Sequence, residues 1–341
     1  MPAKQFVYWM ALSLLLATFL TACSFSTQQP TISPSDTPVP SLSPTQVTFP
    51  TITHSPIPEN TIEIITPILP SSTPENTPVP VHVRFAVIGD YGSGEETEAD
   101  VANLVKSWQP ELIITTGDNN YPDGESGTID QNIGQFFNEF IAPYVGKFGE
   151  GAQENRFFPS LGNHDWHAPG ADPYLDYFTL PGNERYYDFT WGPVHFFALD
   201  SDSREPDGVG RSSQQANWLQ SRLAASESAW KIVYFHHAPY SSGMHGPVDW
   251  MQWPFAEWGA DIILSGHDHT YERIDRDGIL YIVNGLGGMS RYGFFGVSEG
   301  SQVRYNDDYG AMLVEASESM VQIQFINRQN QVIDFYELSK E

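Results

Sequence analysis

Across 341 residues the chain has a single cysteine, Cys23, so no intrachain disulfide can brace the fold. It is also short of positive charge: 16 Lys and Arg stand against 42 Asp and Glu, a formal net charge of −26. A field of that sign repels nucleic acid and anionic membrane surfaces and excludes both as long-range partners. The longest apolar stretch, Phe6 to Leu20, falls short of the roughly 20 residues that an ordinary membrane span requires. What the chain does have is apolar weight, 40% hydrophobic and 13% aromatic, enough for a sizeable core. A phosphate ester stays admissible as a ligand if local cations reverse the potential, and bound metal ions are the usual device.

Residues 1–23 join one early cation, Lys4, to that apolar stretch and close on Leu20-Thr21-Ala22-Cys23. The arrangement reads as a secretion signal. Its last four residues resemble the lipobox of bacterial lipoproteins, in which the cysteine is lipidated after cleavage. That resemblance implies an extracytoplasmic protein held to the membrane by a lipid on Cys23; a plain signal peptide with an incidental cysteine is the alternative. In residues 24–80, 33 of the 57 positions are Pro, Ser or Thr, and only Asp36, Glu59, Glu63 and Glu75 are charged. Such a segment buries too little apolar surface to offset its ordering entropy, and its proline density predicts an extended tether.

Residues 81–341 read as one domain. Strands are predicted at Val83–Gly89, Glu111–Thr116, Phe157–Leu161, Tyr186–Phe189, Val194–Leu199, Lys231–Phe235 and Asp261–Leu264. Helices are predicted at Thr97–Trp108, Asp130–Tyr144 and Ser212–Ser226, and four further strands at Leu280–Asn284, Ala311–Ala316, Met320–Asn327 and Val332–Leu338. Alternating strands and helices followed by a run of strands predict an α/β (α+β) domain of stacked sheets flanked by helices.

Five apolar strands run into loops of metal-binding type: Gly89-Asp90-Tyr91-Gly92, Gly117-Asp118-Asn119-Asn120-Tyr121, Gly162-Asn163-His164-Asp165, His236-His237 and Gly266-His267-Asp268-His269. Ligating groups in α/β folds belong at the carboxyl ends of strands. A single Gly-Asp is more often a turn; five such loops in order point to a site. The constellation resembles the calcineurin-like metallophosphoesterase superfamily, and within it the purple acid phosphatases. Most members of the superfamily have Asp-x-His in the first loop, whereas here Asp90-Tyr91-Gly92 puts glycine at the histidine's place. The purple acid phosphatases make the same exchange and supply a tyrosine three residues after the second aspartate, where Tyr121 stands.

The resemblance implies a four-layer α/β/β/α sandwich of two mixed sheets. It implies a dinuclear metal site in which Asp90, Asp118, Tyr121 and His269 hold Fe(3+), Asp118 bridges, and Asn163, His236 and His267 hold a divalent Zn, Mn or Fe ion. A phenolate is a hard anionic ligand suited to ferric iron. The implied activity is acid phosphatase hydrolysis of small phosphate monoesters, with hydroxide generated at the metals. A phosphodiesterase or nucleotide-directed enzyme and a non-catalytic surface module are the competing readings. The proton for the leaving alkoxide comes from His164 or His245, both at positions where the family has histidines near the substrate. Asp165 is expected to orient the site. His54, His82, His167 and His195 are read as non-catalytic, His237 as pointing away from His236, and Asp200 and Asp202 as acidic surface.

Overall fold

The computed structural model describes residues 82–340. The predicted leader, Cys23, the tether and His54 lie outside the described residues. Among the described residues no helix is long and apolar enough to cross a membrane.

The strands are β1 (His82–Ile88), β2 (Leu112–Thr115), β3 (Phe157–Pro159), β4 (Tyr187–Trp191), β5 (Val194–Ala198), β6 (Trp230–His237), β7 (Ile262–Gly266), β8 (Tyr271–Arg276), β9 (Ile279–Asn284), β10 (Ser301–Tyr305), β11 (Gly310–Ser317), β12 (Met320–Asn327) and β13 (Val332–Ser339). They form a six-stranded sheet, β13-β12-β11-β1-β2-β3, and a seven-stranded sheet, β10-β8-β9-β7-β6-β5-β4. Both sheets are mixed. β1, β2 and β3 pair in parallel, as do β5-β6, β6-β7 and β7-β9, while β11, β12, β13, β4, β8 and β10 pair antiparallel.

The parallel strands are apolar on both faces, which dictates burial on both sides. β2 is Leu-Ile-Ile-Thr and every residue of β2, β5 and β7 is buried. Aromatic residues pack the gap between the sheets: Phe85 of β1 meets Phe196 of β5 edge-on at 5.0 Å, and Tyr271 of β8 stacks on Phe325 of β12 at 4.2 Å. Helix Glu96–Ser107 adds Val101, Ala102 and Val105 to the same core. Helix Gln214–Ala225 places Ala216, Leu219 and Leu223 on the outer side of the seven-stranded sheet against Phe197, Val233 and Ile263. Ser213 caps it by accepting a hydrogen bond from Ala216 N at 3.1 Å, as a serine before a helix is expected to. The architecture is the predicted one, two mixed sheets flanked by helices.

The predicted helix Asp130–Tyr144 is instead a broken path. A short turn at Ser126–Ile129 passes through one π-helical turn, Asp130–Gly134, and ends in a 3-10 turn at Asn138–Phe140. Pro143 cannot extend a helix. The Asp130 carboxylate draws Tyr144 OH at 2.6 Å, Tyr177 OH at 2.9 Å and Lys147 N at 3.0 Å, so side-chain bonds replace the missing helical ones. Strands β8 and β10 were not predicted. In β8, Glu272 is fully buried and Arg273 pairs with Asp334 of β13 at 2.7 Å, so these two charges are satisfied inside the fold although composition reads them as loop. β10 is an edge strand, half exposed along its whole length.

Candidate metal centre

Every predicted ligand lies at the carboxyl end of a parallel strand or in the segment that follows it. The six-stranded sheet contributes Asp90, Asp118, Tyr121 and Asn163; the seven-stranded sheet contributes His236, His267 and His269. Three of these residues turn their loops in the left-handed region, Asp90 at φ 54°, Asp118 at φ 52° and His267 at φ 70°. For a residue with a Cβ that conformation costs about 1–2 kcal/mol, and such strain concentrates at functional sites. Backbone bonds hold it here: Asp90 N donates to Gly117 O at 3.1 Å and His267 N to Asp90 Oδ2 at 3.0 Å.

The side chains converge in two groups. In the first, Tyr121 Oη lies 3.4 Å from Asp90 Oδ1, 2.9 Å from Asp118 Oδ2 and 3.2 Å from His269 Nε2, and His269 Nε2 is 3.2 Å from Asp90 Oδ1. In the second, His236 Nε2 lies 3.3 Å from Asp118 Oδ2, 3.0 Å from Asn163 Oδ1 and 3.2 Å from His267 Nδ1. Asp118 Oδ2 belongs to both. The outer bonds set the ring orientations: His236 Nδ1 donates to Thr116 O at 2.9 Å and His269 Nδ1 to Ser290 O at 2.8 Å, turning both Nε2 atoms inward. Asp90, Asp118 and His236, all buried, offer atoms within 4.8 Å of one another, a group able to hold a metal ion.

The electrostatics show what the cluster needs. Burial alone would raise the Asp118 carboxyl, but the charges of His236 and His164 outweigh it and hold Asp118 well below the usual range. Burial, and then the charges of Asp118 and Asp90, raise the Tyr121 phenol far above 10. Burial favours neutral His236, yet Asp118 and Asp90 push it up to about 10. Burial and the His236 charge push His267 down. A proton on His236 thus stands in for the cation that this set of oxygen and nitrogen lone pairs would otherwise hold, and a bound cation reverses the logic for the phenol.

His164 Nδ1 contacts Pro122 O at 2.5 Å and its Nε2 faces Asp118 Oδ2 at 3.9 Å, with the ring packed on Tyr121 at 4.3 Å. His245 is exposed and stacks on His267 at 4.2 Å with a 28° tilt. Both predicted proton donors are therefore at the cluster. Asp165 accepts from Gly162 N at 2.8 Å and from Asn119 Nδ2 at 2.8 Å, tying the third loop to the second; burial and the Asp118 charge push its carboxyl up to about 7. The third loop comes very close: a Cβ on Gly162 would collide with the backbone N and Oδ1 of Asp118. Gly162→Ala is expected to displace Asp118 and lower stability by about 1–3 kcal/mol. A urea midpoint equal to the parent's, with full activity, contradicts that expectation.

Two expectations fail. His237 does not turn clear of the site. A register shift near the end of β6 leaves its ring 4.5 Å from that of His267, with Nδ1 on Ser201 Oγ at 2.9 Å. Asp200 and Asp202 are not surface groups. Asp200 is fully buried and accepts from Trp166 Nε1 at 2.8 Å, and burial pushes its carboxyl well up. Asp202 pairs with Arg204, whose guanidinium also donates to Asn163 O at 3.1 Å. Both aspartates follow β5 at the same end as the ligands, which was the available signal. His82 is exposed, His167 sits beside exposed Asp123 at 3.2 Å with its ring 4.7 Å from that of His164, and His195 is bonded to Asp188 at 2.7 Å and Ser226 at 2.8 Å. The sequence reading also missed Asn119. It is fully buried, accepts from Tyr91 OH and Thr115 Oγ1, and donates to Ser160 O.

Residues 83–271 match the model of the calcineurin-like phosphoesterase family. The chain is similar to purple acid phosphatase 15 of Arabidopsis thaliana, 28% identical over 258 residues, 64% of this chain and 47% of that protein. It therefore spans about half of that relative. Against tartrate-resistant acid phosphatase type 5 of Mus musculus it is 25% identical over 258 residues, covering 64% of this chain and 76% of that one. A third relative is Fe(3+)-Zn(2+) purple acid phosphatase 12 of Arabidopsis thaliana, 25% identical over 238 residues, 64% of this chain and 48% of that one. The fold is like that of the purple acid phosphatase PPD1 from yellow lupin seeds, with a TM-score of 0.62 at 17% identity over 77% of this chain and 55% of that one. The family match takes in all seven clustered side chains and more than half of the sequence, and the chain belongs to the calcineurin-like phosphoesterases.

Proposed function

We propose that the chain is a dinuclear metal-dependent acid phosphatase that hydrolyses small phosphate monoesters outside the cytoplasm, tethered through residues 24–80 to a lipid on Cys23. The observation that carries the activity is the pair of ligand groups sharing Asp118 Oδ2, with a phenol in one group and two imidazoles in the other. Asp90, Asp118, Tyr121 and His269 suit a hard trivalent ion, and Asp118, Asn163, His236 and His267 suit a divalent one. A relative named for Fe(3+) and Zn(2+) supports that pairing. The leader pattern and the Pro/Ser/Thr segment support the location.

When bound, the two cations supply Lewis-acid polarisation of the phosphate oxygens and activation of water. The protein's part is placement and proton transfer. Asp90 and Asp118 present fixed negative charge, and the Tyr121 phenol would add to it once a bound cation took the place of its proton. His164 is held at Nδ1 by Pro122 O, so its Nε2 faces the cluster as a proton carrier. His245 flanks the other side over His267, and either imidazole can protonate a leaving alkoxide within hydrogen-bond reach. The chain's net charge of −26 disfavours polyanions and favours small esters.

Metal analysis with a visible spectrum tests the metal assignment. The purified protein is expected to be pink to purple, and Tyr121→Phe to bleach it. A colourless protein with stoichiometric zinc or manganese and no iron contradicts the ferric part. Aryl phosphate monoesters assayed beside bis-aryl diesters test the substrate class: faster diester turnover replaces the proposal with a phosphodiesterase. No turnover from acid to alkaline pH leaves a binding module.

A further inference from the structure

The chain leaves β6 at His237 and wanders through residues 238–247 without regular structure, yet it must hold His245 over His267. Two carboxylates with no place in the ligand set do the holding. Asp268 lies between His267 and His269, Glu272 lies in β8, and both are fully buried. Asp268 accepts from His245 N at 2.8 Å through Oδ1 and from Ser241 Oγ at 2.5 Å through Oδ2. Glu272 accepts from Ser242 N at 2.7 Å through Oε2 and from Ser242 Oγ at 2.5 Å through Oε1. Each of the four oxygens takes one donor from the loop.

The contact is close-fitting. A Cβ on Gly243 would strike the Asp268 side chain, so the loop backbone lies directly on that carboxylate. From the opposite side Phe295 N donates to Ser242 O at 2.9 Å and Ser298 N to Ser242 Oγ at 2.7 Å. The loop is pinned on both sides of Ser242, and the segment that carries His267 and His269 also fixes the arm bearing His245.

We propose that Asp268 and Glu272 are positioning residues that aim His245 at the leaving group, an inference that rests on the phosphatase reading. Buried carboxylates saturated by N–H and O–H donors resist rearrangement, because any displacement strands charge away from water. His245 and the ligand histidines therefore keep one fixed relation before substrate arrives. Misplacing a catalytic group by about 1 Å costs on the order of 100-fold in rate.

The test uses the metal-loaded full chain with Glu272→Gln, His245→Gln and the double variant. The amide replaces one acceptor with a donor facing Ser242 N–H and loosens the arm. For an alkyl phosphate, whose leaving group needs a proton, Glu272→Gln is expected to lower kcat by roughly 10- to 100-fold. For 4-nitrophenyl phosphate, whose leaving group does not, the loss is expected to stay below about 3-fold. The double variant is expected to be no slower than His245→Gln alone, since the two act as a unit. Amide exchange at His245 is expected to be protected in the parent and fast in Glu272→Gln. Equal losses on both substrates, additive losses in the double variant, or unprotected His245 in the parent overturn the inference. If Glu272→Gln does not fold, Ser242→Ala removes the loop-side donor and enters the same cycle. A parent protein that protects His245 but turns over no phosphate ester overturns the phosphatase reading instead, leaving the clamp as a structural feature.

Discussion

Asp118→Asn is expected to remove both metal ions at once and to lower kcat/KM by about 10³- to 10⁵-fold, the loss of several kcal/mol of charge stabilisation. The side chain keeps its shape, so the expectation isolates charge. One oxygen, Oδ2, stands 2.9 Å from Tyr121 Oη and 3.3 Å from His236 Nε2, so a single atom reaches into both ligand groups. The other oxygen, Oδ1, accepts from His164 N at 2.8 Å, so it also fixes the third loop. An amide can present one acceptor oxygen only, and its NH2 would face a metal or a ring nitrogen. Metal content by elemental analysis and kcat/KM on an aryl phosphate provide the check. A variant that retains two metals per chain contradicts the shared role of Oδ2, whatever its rate.

Metal uptake by stripped protein is expected to expel protons, and its affinity to rise steeply with pH. Ligation needs neutral imidazole and ionised phenol. In the metal-free site burial favours neutral His236, but Asp118 and Asp90 outweigh it and push it up to about 10, so at pH 7 it carries a proton. Burial and the same carboxylates keep Tyr121 protonated, while burial and His236 keep His267 neutral. Zinc alone is therefore expected to release one proton, from His236, with affinity rising about tenfold per pH unit until His236 loses its own proton near pH 10. Ferric iron is expected to release at least one more, from Tyr121. The sign also governs apo stability: a raised histidine contributes stability that is fully present below its unfolded value of 6.5 and lost as pH rises through about 10. Zinc titrations against a competing chelator at pH 6, 7 and 8 check the slope, and pH-independent affinity contradicts it.

The ligands were legible because each stands next to a strand end that sequence pattern marks clearly. Phe85–Ile88 and Leu112–Ile114 are continuous apolar runs, and Asp90 and Asp118 stand only a few residues beyond them. The parallel core needs such runs because both faces are buried. What stayed hidden depends on which charges pair inside. Glu272 and Arg273 look like loop residues in sequence, and only Ser242 and Asp334 brought close by the fold make them strand interior. Asp200 was misread for the same reason, since its partners Trp166 and Gln215 are 34 and 15 residues away. His237 was misread through strict alternation, which a one-residue irregularity at the end of β6 cancels. The Asp130–Tyr144 helix failed because Asp130 turns its carboxylate on Tyr144 and Tyr177 rather than towards solvent.

The two sheets meet at the cluster by more than apolar packing. His236 Nδ1 of β6 bonds Thr116 O beyond β2, His267 N beyond β7 bonds the Asp90 carboxylate beyond β1, and Asn284 Nδ2 of β9 bonds Val87 O of β1 at 3.0 Å. Away from the cluster the sheets meet both through apolar pairs such as Phe85 and Phe196 and through bonds such as Arg273–Asp334 and Trp230 Nε1–Ser317 O; at the cluster the bonds between them also carry the ligands. The ligand-bearing end is thus one of the latches of the sandwich. Shearing one sheet past the other by a single residue would scatter the ligands before it exposed much of the core, so loss of chemistry is the earliest sign of the fold coming apart.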